Sequence, residues 1–229
     1  MDTTAFLTAL KAAFSVQELT RPTDFRFDPL PDVQGKTAPK VQRLLQLGVR
    51  CLPPEECYFE VGTFQGKTLI SAALFNEDKH LTACDDFSEF TDDPDQALAV
   101  LRRNISRHCP PHQRIDFHMA DFRRVLREGR LPKPIGFYFN DGAHDYANQF
   151  DGLTHVEDHL ADEALVLVDD WRFTPDSRSQ ARQATLDAMA RSKRKWELIV
   201  ELPARFNGDT EMWWNGLGVL RTWAASPSA

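Results

Sequence analysis

The amino-acid sequence predicts an α/β fold, a doubly wound and mostly parallel seven-stranded sheet with an antiparallel last strand, preceded by an N-terminal helical extension. From about residue 55 onward, short apolar segments alternate with segments whose apolar residues recur at helical spacing. Residues 165–168 are all apolar, which is typical of a parallel strand covered by helices on both faces. These two observations predict the layered architecture.

The N-terminal part of the chain is predicted to hold two helices with an irregular connection. Apolar residues at helical spacing predict one helix over residues 3–19, and Pro39 suits the first turn of a second helix over residues 39–49. Residues 20–38 contain three prolines and a glycine, which favour irregular structure. We therefore divide the chain into a helical extension or lid over residues 1–54 and a main domain over residues 55–229.

Strands and helices follow one another along the main domain. The predicted strands cover residues 58–61, 81–84, 115–119, 135–139, 164–168, 196–202 and 217–222. The predicted helices cover residues 66–75, 94–107, 122–128, 146–160 and 179–192. No helix is predicted between the last two strands, so we expect them to form an antiparallel pair at one edge, joined by a long loop over residues 203–215.

The overall composition limits the classes of partner. The chain has 229 residues and a net charge of −7, which argues against a nucleic-acid backbone as the main partner. No apolar segment approaches the roughly 18–20 residues that span a bilayer, and the N-terminus lacks the features of a signal peptide. The four cysteines form no C-x-x-C pair and suit a reducing compartment. We expect a cytoplasmic protein with no nucleic-acid or membrane partner.

The most informative segment is 57–68, with the sequence Cys-Tyr-Phe-Glu-Val-Gly-Thr-Phe-Gln-Gly-Lys-Thr. It predicts a strand, a tight glycine turn and a helix, the arrangement that brings backbone N–H groups against a nucleotide-like ligand. Its end is close to a phosphate-binding loop, but only three residues separate Gly62 from Gly66 where that loop has four. Glu60 places a negative charge beside the turn, so a cation or a hydroxyl-rich sugar suits it better than phosphate.

Three carboxylates and a histidine follow the fourth and fifth predicted strands. Asp141 and His144 follow the fourth strand, and Asp169 and Asp170 follow the fifth. Because neighbouring parallel strands end at the same edge of a sheet, we expect the three carboxylates to converge and to repel one another unless neutralised. A hard divalent cation such as Mg²⁺ would neutralise them. The alternative is that one aspartate contacts a cofactor, another caps a helix, and no metal binds.

These segments together resemble the class I S-adenosylmethionine-dependent methyltransferases, over about residues 55–223. Glu60, Gly62 and Gly66 match the first motif of that family. The resemblance implies a Rossmann-like methyltransferase fold, with Glu60 facing the ammonium of the methionine part of the cofactor. Thr63 and Thr68, in and after the same turn, are further candidate cofactor contacts.

The resemblance also assigns roles to acids at the next strand ends. It implies that Asp85 accepts the two ribose hydroxyls, although Asp86 follows directly and the assignment could shift by one residue. Asp121 resembles the aspartate that meets the adenine amino group, and it also suits the N-cap of a helix from Phe122 onward. Both roles of Asp121 are compatible.

The series Asp141-Gly142-x-His144-x-Tyr146, followed later by an apolar strand ending in Asp-Asp, is similar to the small-molecule O-methyltransferase branch of the family. This similarity implies that Asp141 contributes both to the cofactor site and to a metal site with Asp169 and Asp170. His144 is the candidate general base, since an unperturbed pKa of about 6.5 lies near working pH. The alternative is that His144 only orients its loop.

The sequence thus predicts an enzyme that transfers a methyl group from S-adenosylmethionine to an oxygen of a small molecule, assisted by Mg²⁺, as in natural-product modification. The alternatives are a hydroxylase or other non-methylating enzyme on the same fold, and a non-catalytic S-adenosylmethionine-binding protein. An iron-dependent hydroxylase would need a second histidine near His144, and His118 is the other histidine at a strand end. The N-terminal helix is a candidate element for a homodimer.

Aromatic residues outside the predicted core are candidates for the wall of an acceptor pocket. Each of them could equally pack in a smaller hydrophobic cluster apart from the main core. They are Phe25, Phe27, Trp171, Phe173, Trp213 and Trp214, with Arg172 beside them.

Overall fold

The computed structural model describes residues 1–171 and 179–225. The strands are β1 (Cys57–Val61), β2 (His80–Cys84), β3 (Arg114–His118), β4 (Ile135–Asn140), β5 (Leu160–Val168), β6 (Lys195–Leu202) and β7 (Leu217–Trp223). The helices are α1 (Thr3–Ala13), α2 (Val16–Thr20), α3 (Pro39–Arg50), α4 (Lys67–Ala73), α5 (Pro94–His108), α6 (Phe122–Arg127), α7 (Tyr146–Val156) and α8 (Ala181–Arg191). A short 3₁₀ turn, Glu157–His159, follows α7.

The seven strands form one sheet in the order β3-β2-β1-β4-β5-β7-β6. The first five strands are parallel to one another, and β7 lies between β5 and β6 and runs antiparallel to both. The predicted fold class, with an antiparallel last strand and a β6–β7 pair at the edge, is therefore confirmed. The strand order reverses at β1, between β2 and β4, which is where ligands bind in open α/β sheets.

The central strands are apolar on both faces because helices cover both faces. In β1, Tyr58 belongs to the core on the side of α1, α3 and α4, and Phe59 belongs to the core on the side of α6, α7 and α8. In β4, Phe137 and Tyr138 separate in the same way. Successive strand side chains point to opposite faces, so a continuous apolar strand fills two cores at once.

The predicted single helix over residues 3–19 is wrong, because the chain forms two helices there. The first, α1, ends before Phe14, whose backbone is extended. Ser15 then begins α2 with a capping box in which its hydroxyl accepts from the N–H of Glu18 and the Glu18 carboxylate accepts from the N–H of Ser15. The backbone N–H groups of Ser15 and Glu18 lack helical partners once α1 has ended, and this reciprocal cap satisfies both of them.

The N-terminal segment is fixed to the loop between β6 and β7. The ammonium of Lys40, which is buried, donates to the backbone oxygens of Glu18 at 2.6 Å and Arg21 at 3.1 Å. The indole N–H of Trp213 donates to the backbone oxygen of Leu19 at 3.0 Å. Residues around α2 therefore pack on a loop that also reaches the candidate site.

No helix in the described residues is both long and apolar enough to cross a membrane. All four cysteines carry free thiols, with Cys57 and Cys84 buried in β1 and β2.

Candidate active site

A large cavity lies at the carboxyl ends of the parallel strands. Its volume is about 1330 Å³, above the roughly 300–1,000 Å³ that is typical of a pocket for one small ligand. Of the residues predicted for the site, those that line it are Gly62, Thr63, Thr68, Asp85, Asp121, Asp141, His144, Asp169 and Asp170. The loop between β6 and β7 adds Asn207, Gly208, Trp214 and Asn215.

The glycine turn after β1 needs its glycines for conformation and for packing. Gly62 has φ +84°, and a Cβ atom there would lie 2.0 Å from the backbone oxygen of Asp141. Gly66 has φ +91° and precedes α4, and its missing Cβ leaves room for Leu101. The turn of β1 is therefore held directly against the chain that leaves β4. Gly62 lines the cavity, whereas Gly66 is buried behind it.

Asp85 fastens this turn to the end of β2. One carboxylate oxygen accepts from the backbone N–H groups of Thr63 at 2.9 Å and Phe64 at 2.7 Å, and the other accepts from the N–H of Phe87 at 2.7 Å. A carboxylate has about four lone-pair sites, so acceptor capacity remains for a ligand hydroxyl. The neighbouring Asp86 is exposed and also lines the cavity.

Glu60 is fully buried and both of its oxygens are hydrogen bonded within the protein. One accepts from the hydroxyl of Tyr58 at 2.5 Å and the other accepts from the hydroxyl of Thr68 at 2.9 Å. Burial raises the pKa of Glu60 to about 7, although these two hydrogen bonds act in the opposite direction. Glu60 thus lies behind Thr68, and Thr68 is the member of this network that reaches the cavity wall.

Asp121 follows β3 and caps α6. Its carboxylate accepts from the backbone N–H of Arg123 at 2.9 Å and pairs with the guanidinium of the same residue at 2.9 Å. Because Asp121 also lines the cavity, the structure is compatible with both of the roles that the sequence suggested.

The three carboxylates of Asp141, Asp169 and Asp170 converge, each offering an oxygen within 4.8 Å of the others. Asp169 and Asp170 are buried, and one oxygen of Asp169 has no hydrogen-bond partner among residues 1–171 and 179–225. Burial, followed by the neighbouring negative charges, raises the pKa of both Asp141 and Asp169. Asp170 has φ +51°, a strained conformation for a residue with a side chain.

His144 and Asn215 contact this cluster from two sides through Asp170. The Nε2 atom of His144 lies 2.7 Å from one oxygen of Asp170. Burial alone would lower the pKa of His144, but the hydrogen bond and the charge of Asp170 outweigh burial and raise it. The side-chain amide of Asn215 donates to the other oxygen of Asp170, and its own oxygen accepts from the N–H of Gly208 at 2.8 Å.

Sequence reasoning did not find Asn215, Lys36 or Lys67 as site residues. Asn215 and Lys36 come from loops without periodicity or motif, so the sequence carries no local signal for them. Lys67 does have a signal, since it follows the glycine turn directly. It was not considered further because the spacing of the two glycines excluded a phosphate-binding loop. All three line the cavity.

The aromatic candidates divide between core and cavity. Trp171 is buried, packs on Gly218, and donates from its indole N–H to Glu201 at 2.8 Å. Trp213 is buried against Phe14. Trp214 lines the cavity.

Phe25 and Phe27 pack within the protein, since Phe25 stacks on Phe14 and Phe27 contacts Arg43. Arg172 and Phe173 lie outside the described residues.

An iron-dependent hydroxylase would need a second histidine near His144. Among the described residues that line the cavity, His144 is the only histidine. His118 lies on the edge strand β3, which β2 and β1 separate from β4.

This glycine turn, these strand-end acids and this sheet order define a Rossmann-like methyltransferase fold. Residues 59–171 match the model of a family described as a methyltransferase domain. The match begins within β1 and ends at Trp171, so it includes the glycine turn and every acid predicted for the site. Residues 59–171 are therefore similar to a methyltransferase domain, and the sequence-based prediction of a class I S-adenosylmethionine-dependent methyltransferase is confirmed.

Solved structures share this fold at low sequence identity. The O-methyltransferase TomG from Streptomyces achromogenes, in complex with S-adenosylmethionine, is 17% identical, with 85% of this chain and 83% of that chain covered and a TM-score of 0.59. An O-methyltransferase from Bacillus cereus, in complex with S-adenosylhomocysteine, is 15% identical, with coverages of 96% and 90% and a TM-score of 0.57. No curated protein matches this sequence. At these identities the structures establish the common fold alone.

Proposed function

We propose that this protein transfers the methyl group of S-adenosylmethionine to an oxygen of a small-molecule acceptor, with a divalent cation, Mg²⁺, held by Asp141, Asp169 and Asp170. The observation that carries the proposal is the convergence of these three carboxylates within 4.8 Å on the wall of the cavity. Similar folds in proteins named as O-methyltransferases support the choice of oxygen as the acceptor atom.

The three carboxylates fit a hard divalent cation. All the donors are oxygen atoms, which Mg²⁺ prefers. Within the described residues, one oxygen of buried Asp169 has no hydrogen-bond partner, as expected of an atom reserved for a ligand. Burial and the mutual repulsion of these carboxylates raise the pKa of Asp141 and of Asp169, and a bound cation would relieve that repulsion.

The cavity also fits S-adenosylmethionine beside an acceptor. Its volume of about 1330 Å³ leaves space for two ligands. The ends of β1, β2 and β3 present the glycine turn, Asp85 with Asp86, and Asp121 along one wall. We assign that wall to the methionine, ribose and adenine parts in that order, which leaves the end of β5 and Asn215 for the acceptor.

The chemistry combines positioning with proton removal. S-adenosylmethionine supplies an electrophilic methyl group, and a divalent cation supplies positive charge that favours an ionised acceptor hydroxyl. The protein holds the two reactants at one sheet edge, and positioning of this kind contributes about 7–11 kcal/mol to lowering a barrier. His144 takes the acceptor proton on Nε2 once that atom has left Asp170, a contribution of typically about 10²–10⁴-fold.

Asp170, which Asn215 holds in place, pairs with His144 and must release it before His144 can act as a base. In the structure Asp170 binds the imidazole of His144 at 2.7 Å and is itself bound by the amide of Asn215. The ion pair favours the protonated imidazole, which is not a base. A base role therefore requires that the ion pair opens when acceptor is bound.

We further propose a cytoplasmic location, because all four thiols are free. A homodimer through the N-terminal helix remains a proposal that gel filtration with light scattering would test.

The cofactor is tested by calorimetry and by crystal soaking. The protein is expected to bind S-adenosylhomocysteine and not ATP. Crystals soaked with S-adenosylmethionine and Mg²⁺ are expected to show the cofactor along Gly62 and Asp85 and a metal at the carboxylates. Cofactor density elsewhere would refute the cofactor assignment, whereas an empty carboxylate cluster at saturating Mg²⁺ would refute metal assistance alone.

The reaction is tested by release of S-adenosylhomocysteine over a panel of small hydroxylated compounds. We expect turnover with at least one compound, loss of turnover on chelation, and recovery with added Mg²⁺. Cofactor binding with no turnover on any compound would favour the non-catalytic alternative. The variant His144→Gln is expected to keep cofactor affinity and to lose about 10²-fold or more in kcat.

A further inference from the structure

The lysine of the Gly66-Lys67-Thr68 sequence has no role in the proposed reaction. We propose that Lys67, together with Lys36, forms a subsite for the α-carboxylate of the methionine part of S-adenosylmethionine. This inference rests on the proposed function, because it assumes that this cofactor occupies the cavity.

Lys67 is held in the cavity wall beside the glycine turn. Its side chain is only 15% exposed. The backbone of Gly35 closes over its stem, so tightly that a Cβ atom at position 35 would lie 2.5 Å from the Cβ of Lys67. Gly62, Thr63 and Lys67 all line the same cavity. Lys67 thus lies in the cavity wall directly after the turn of β1, at the first residue of α4.

The charge of Lys67 is incompletely paired within the protein. Its ammonium lies 3.6 Å from a carboxylate oxygen of Asp28, which is half exposed, whereas a charge-assisted hydrogen bond is about 2.7–2.9 Å long. Lys79 provides a contrast at the same exposure of 15%. The ammonium of Lys79 lies 3.1 Å from Asp78 and 2.8 Å from the backbone oxygen of Leu52. Lys67 is thus better placed to accept an incoming anion.

Lys36 brings a second positive charge to the same wall. Its ammonium lies 3.0 Å from the centroid of the Phe90 ring, and Phe90 packs edge-on against Phe64 of the glycine turn with ring centroids 6.2 Å apart. Lys36, Phe64 and Phe90 all line the cavity. The segment between α2 and α3 therefore supplies a cation over the end of β1.

The rest of the cavity wall repels anions. Eight carboxylates line it, namely Asp85, Asp86, Glu89, Asp121, Asp141, Asp145, Asp169 and Asp170. Among the lining residues in the described part of the chain, Lys36 and Lys67 are the only lysines and no arginine is present. A ligand with one carboxylate and several hydroxyl or cationic groups will therefore place that carboxylate at the two lysines.

The cofactor, rather than the acceptor, is the source of this carboxylate because of where the lysines lie. Lys67 begins α4 directly after the turn of β1. The reacting oxygen belongs near His144 and the carboxylates at the ends of β4 and β5. Since Glu60 is hydrogen bonded to Tyr58 and Thr68, the lysines are the charged groups that this end of the cavity presents to a methionine tail.

The test compares two ligands that differ only in the carboxylate. Calorimetry would measure the Kd of S-adenosylmethionine and of decarboxylated S-adenosylmethionine, which keeps the amine and the sulfonium. We expect Lys67→Met to weaken S-adenosylmethionine about tenfold and the decarboxylated ligand less than about twofold. Lys36→Met should act in the same direction, Lys67→Arg should recover most of the affinity, and the matched control Lys79→Met should change neither Kd.

Each outcome has a separate meaning. If wild-type protein binds neither ligand, the proposed cofactor is wrong and this subsite with it. If it binds both, and Lys67→Met and Lys36→Met weaken them equally or not at all, the carboxylate subsite is refuted while the proposed function stands. Unchanged cofactor affinity with a raised KM for an acceptor would assign the lysines to an anionic acceptor instead. Thermal melts confirm that each variant is folded, and Lys67→Arg and Lys36→Met decide the question if Lys67→Met does not fold.

Discussion

Replacing buried Glu60 by glutamine should change how the stability of this protein depends on pH. Glu60 is fully buried, and its pKa is raised from 4.5 to about 7, mainly by burial. In Glu60→Gln the side chain keeps its shape and can still bond the hydroxyls of Tyr58 and Thr68, since a glutamine offers an acceptor and a donor. The substitution therefore removes the cost of a buried charge and little else.

The sign and size of the effect follow from linkage. Below pH 4.5 the carboxyl is protonated in both the folded and the unfolded state, so Glu60 has no effect through ionisation. Between pH 4.5 and about 7 the unfolded chain ionises and the folded protein does not, so stability falls as pH rises. A difference of about 2.5 pKa units at 1.36 kcal/mol each corresponds to about 3 kcal/mol lost above pH 7.

Urea unfolding of the wild type and of Glu60→Gln at several pH values from 4 to 8.5 would measure this difference. We expect the two proteins to be about equally stable near pH 4 and the variant to be more stable by up to about 3 kcal/mol at pH 8. Using the difference between the two proteins cancels the titration of the other buried acids. The exposed Glu55→Gln variant is the control and should follow the wild type.

A difference that is constant over this pH range would refute the reasoning, because it would mean that Glu60 has the same pKa in the folded and the unfolded protein. A variant that is less stable than wild type at pH 8 would show that the ionised carboxylate is stabilised by its two hydrogen bonds more than burial destabilises it.

Three further variants test the site. Asp169→Asn should raise the Tm without metal, because it removes one of three repelling carboxylates, and should abolish the rise in Tm with Mg²⁺; an unchanged Mg²⁺ response would contradict a metal at this cluster. Asn215→Ala leaves a buried carboxylate oxygen and a backbone N–H without their partner and should cost about 1–3 kcal/mol in denaturant unfolding, whereas an unchanged midpoint would show that the contact is dispensable. Gly62→Ala should cost about 3 kcal/mol or more, since it adds a steric clash to a left-handed conformation. The control Gly129→Ala has φ +62° with no atom within 4 Å and should cost about 1 kcal/mol; equal losses would show that only conformation matters.

The fold and the glycine turn were readable from the sequence because both depend on local patterns. Each strand or helix shows its own pattern of buried residues in the sequence. The alternation of strands and helices can therefore be recognised without knowing which elements contact one another. The glycine turn is also a local signal, since residues at φ near +90° are almost always glycine. The helix break at Ser15 was missed, although Ser15 and Glu18 have the spacing of a capping box.

Other features of the site come from residues far apart in the chain. Asn215 meets Asp170 across 45 residues, and Lys36 meets Phe90 across a loop that has no motif. Such contacts depend on how loops close over the sheet, and loop conformation leaves no periodic pattern. The sequence likewise placed Trp171 beside the site, but only the packing on Gly218 shows that it belongs to the core.

The sequence by itself determined the order of the elements, the glycine turn, and which acids stand at which strand ends. It did so because each of these depends on residues within a few positions of one another. The tertiary structure decided what each acid does. Glu60 binds Tyr58 and Thr68, Asp85 fastens the glycine turn, and three aspartates remain to converge on the cavity. Only the packing of separate strand ends can divide carboxylates between structural and functional roles, because that division depends on which donors lie within hydrogen-bond distance.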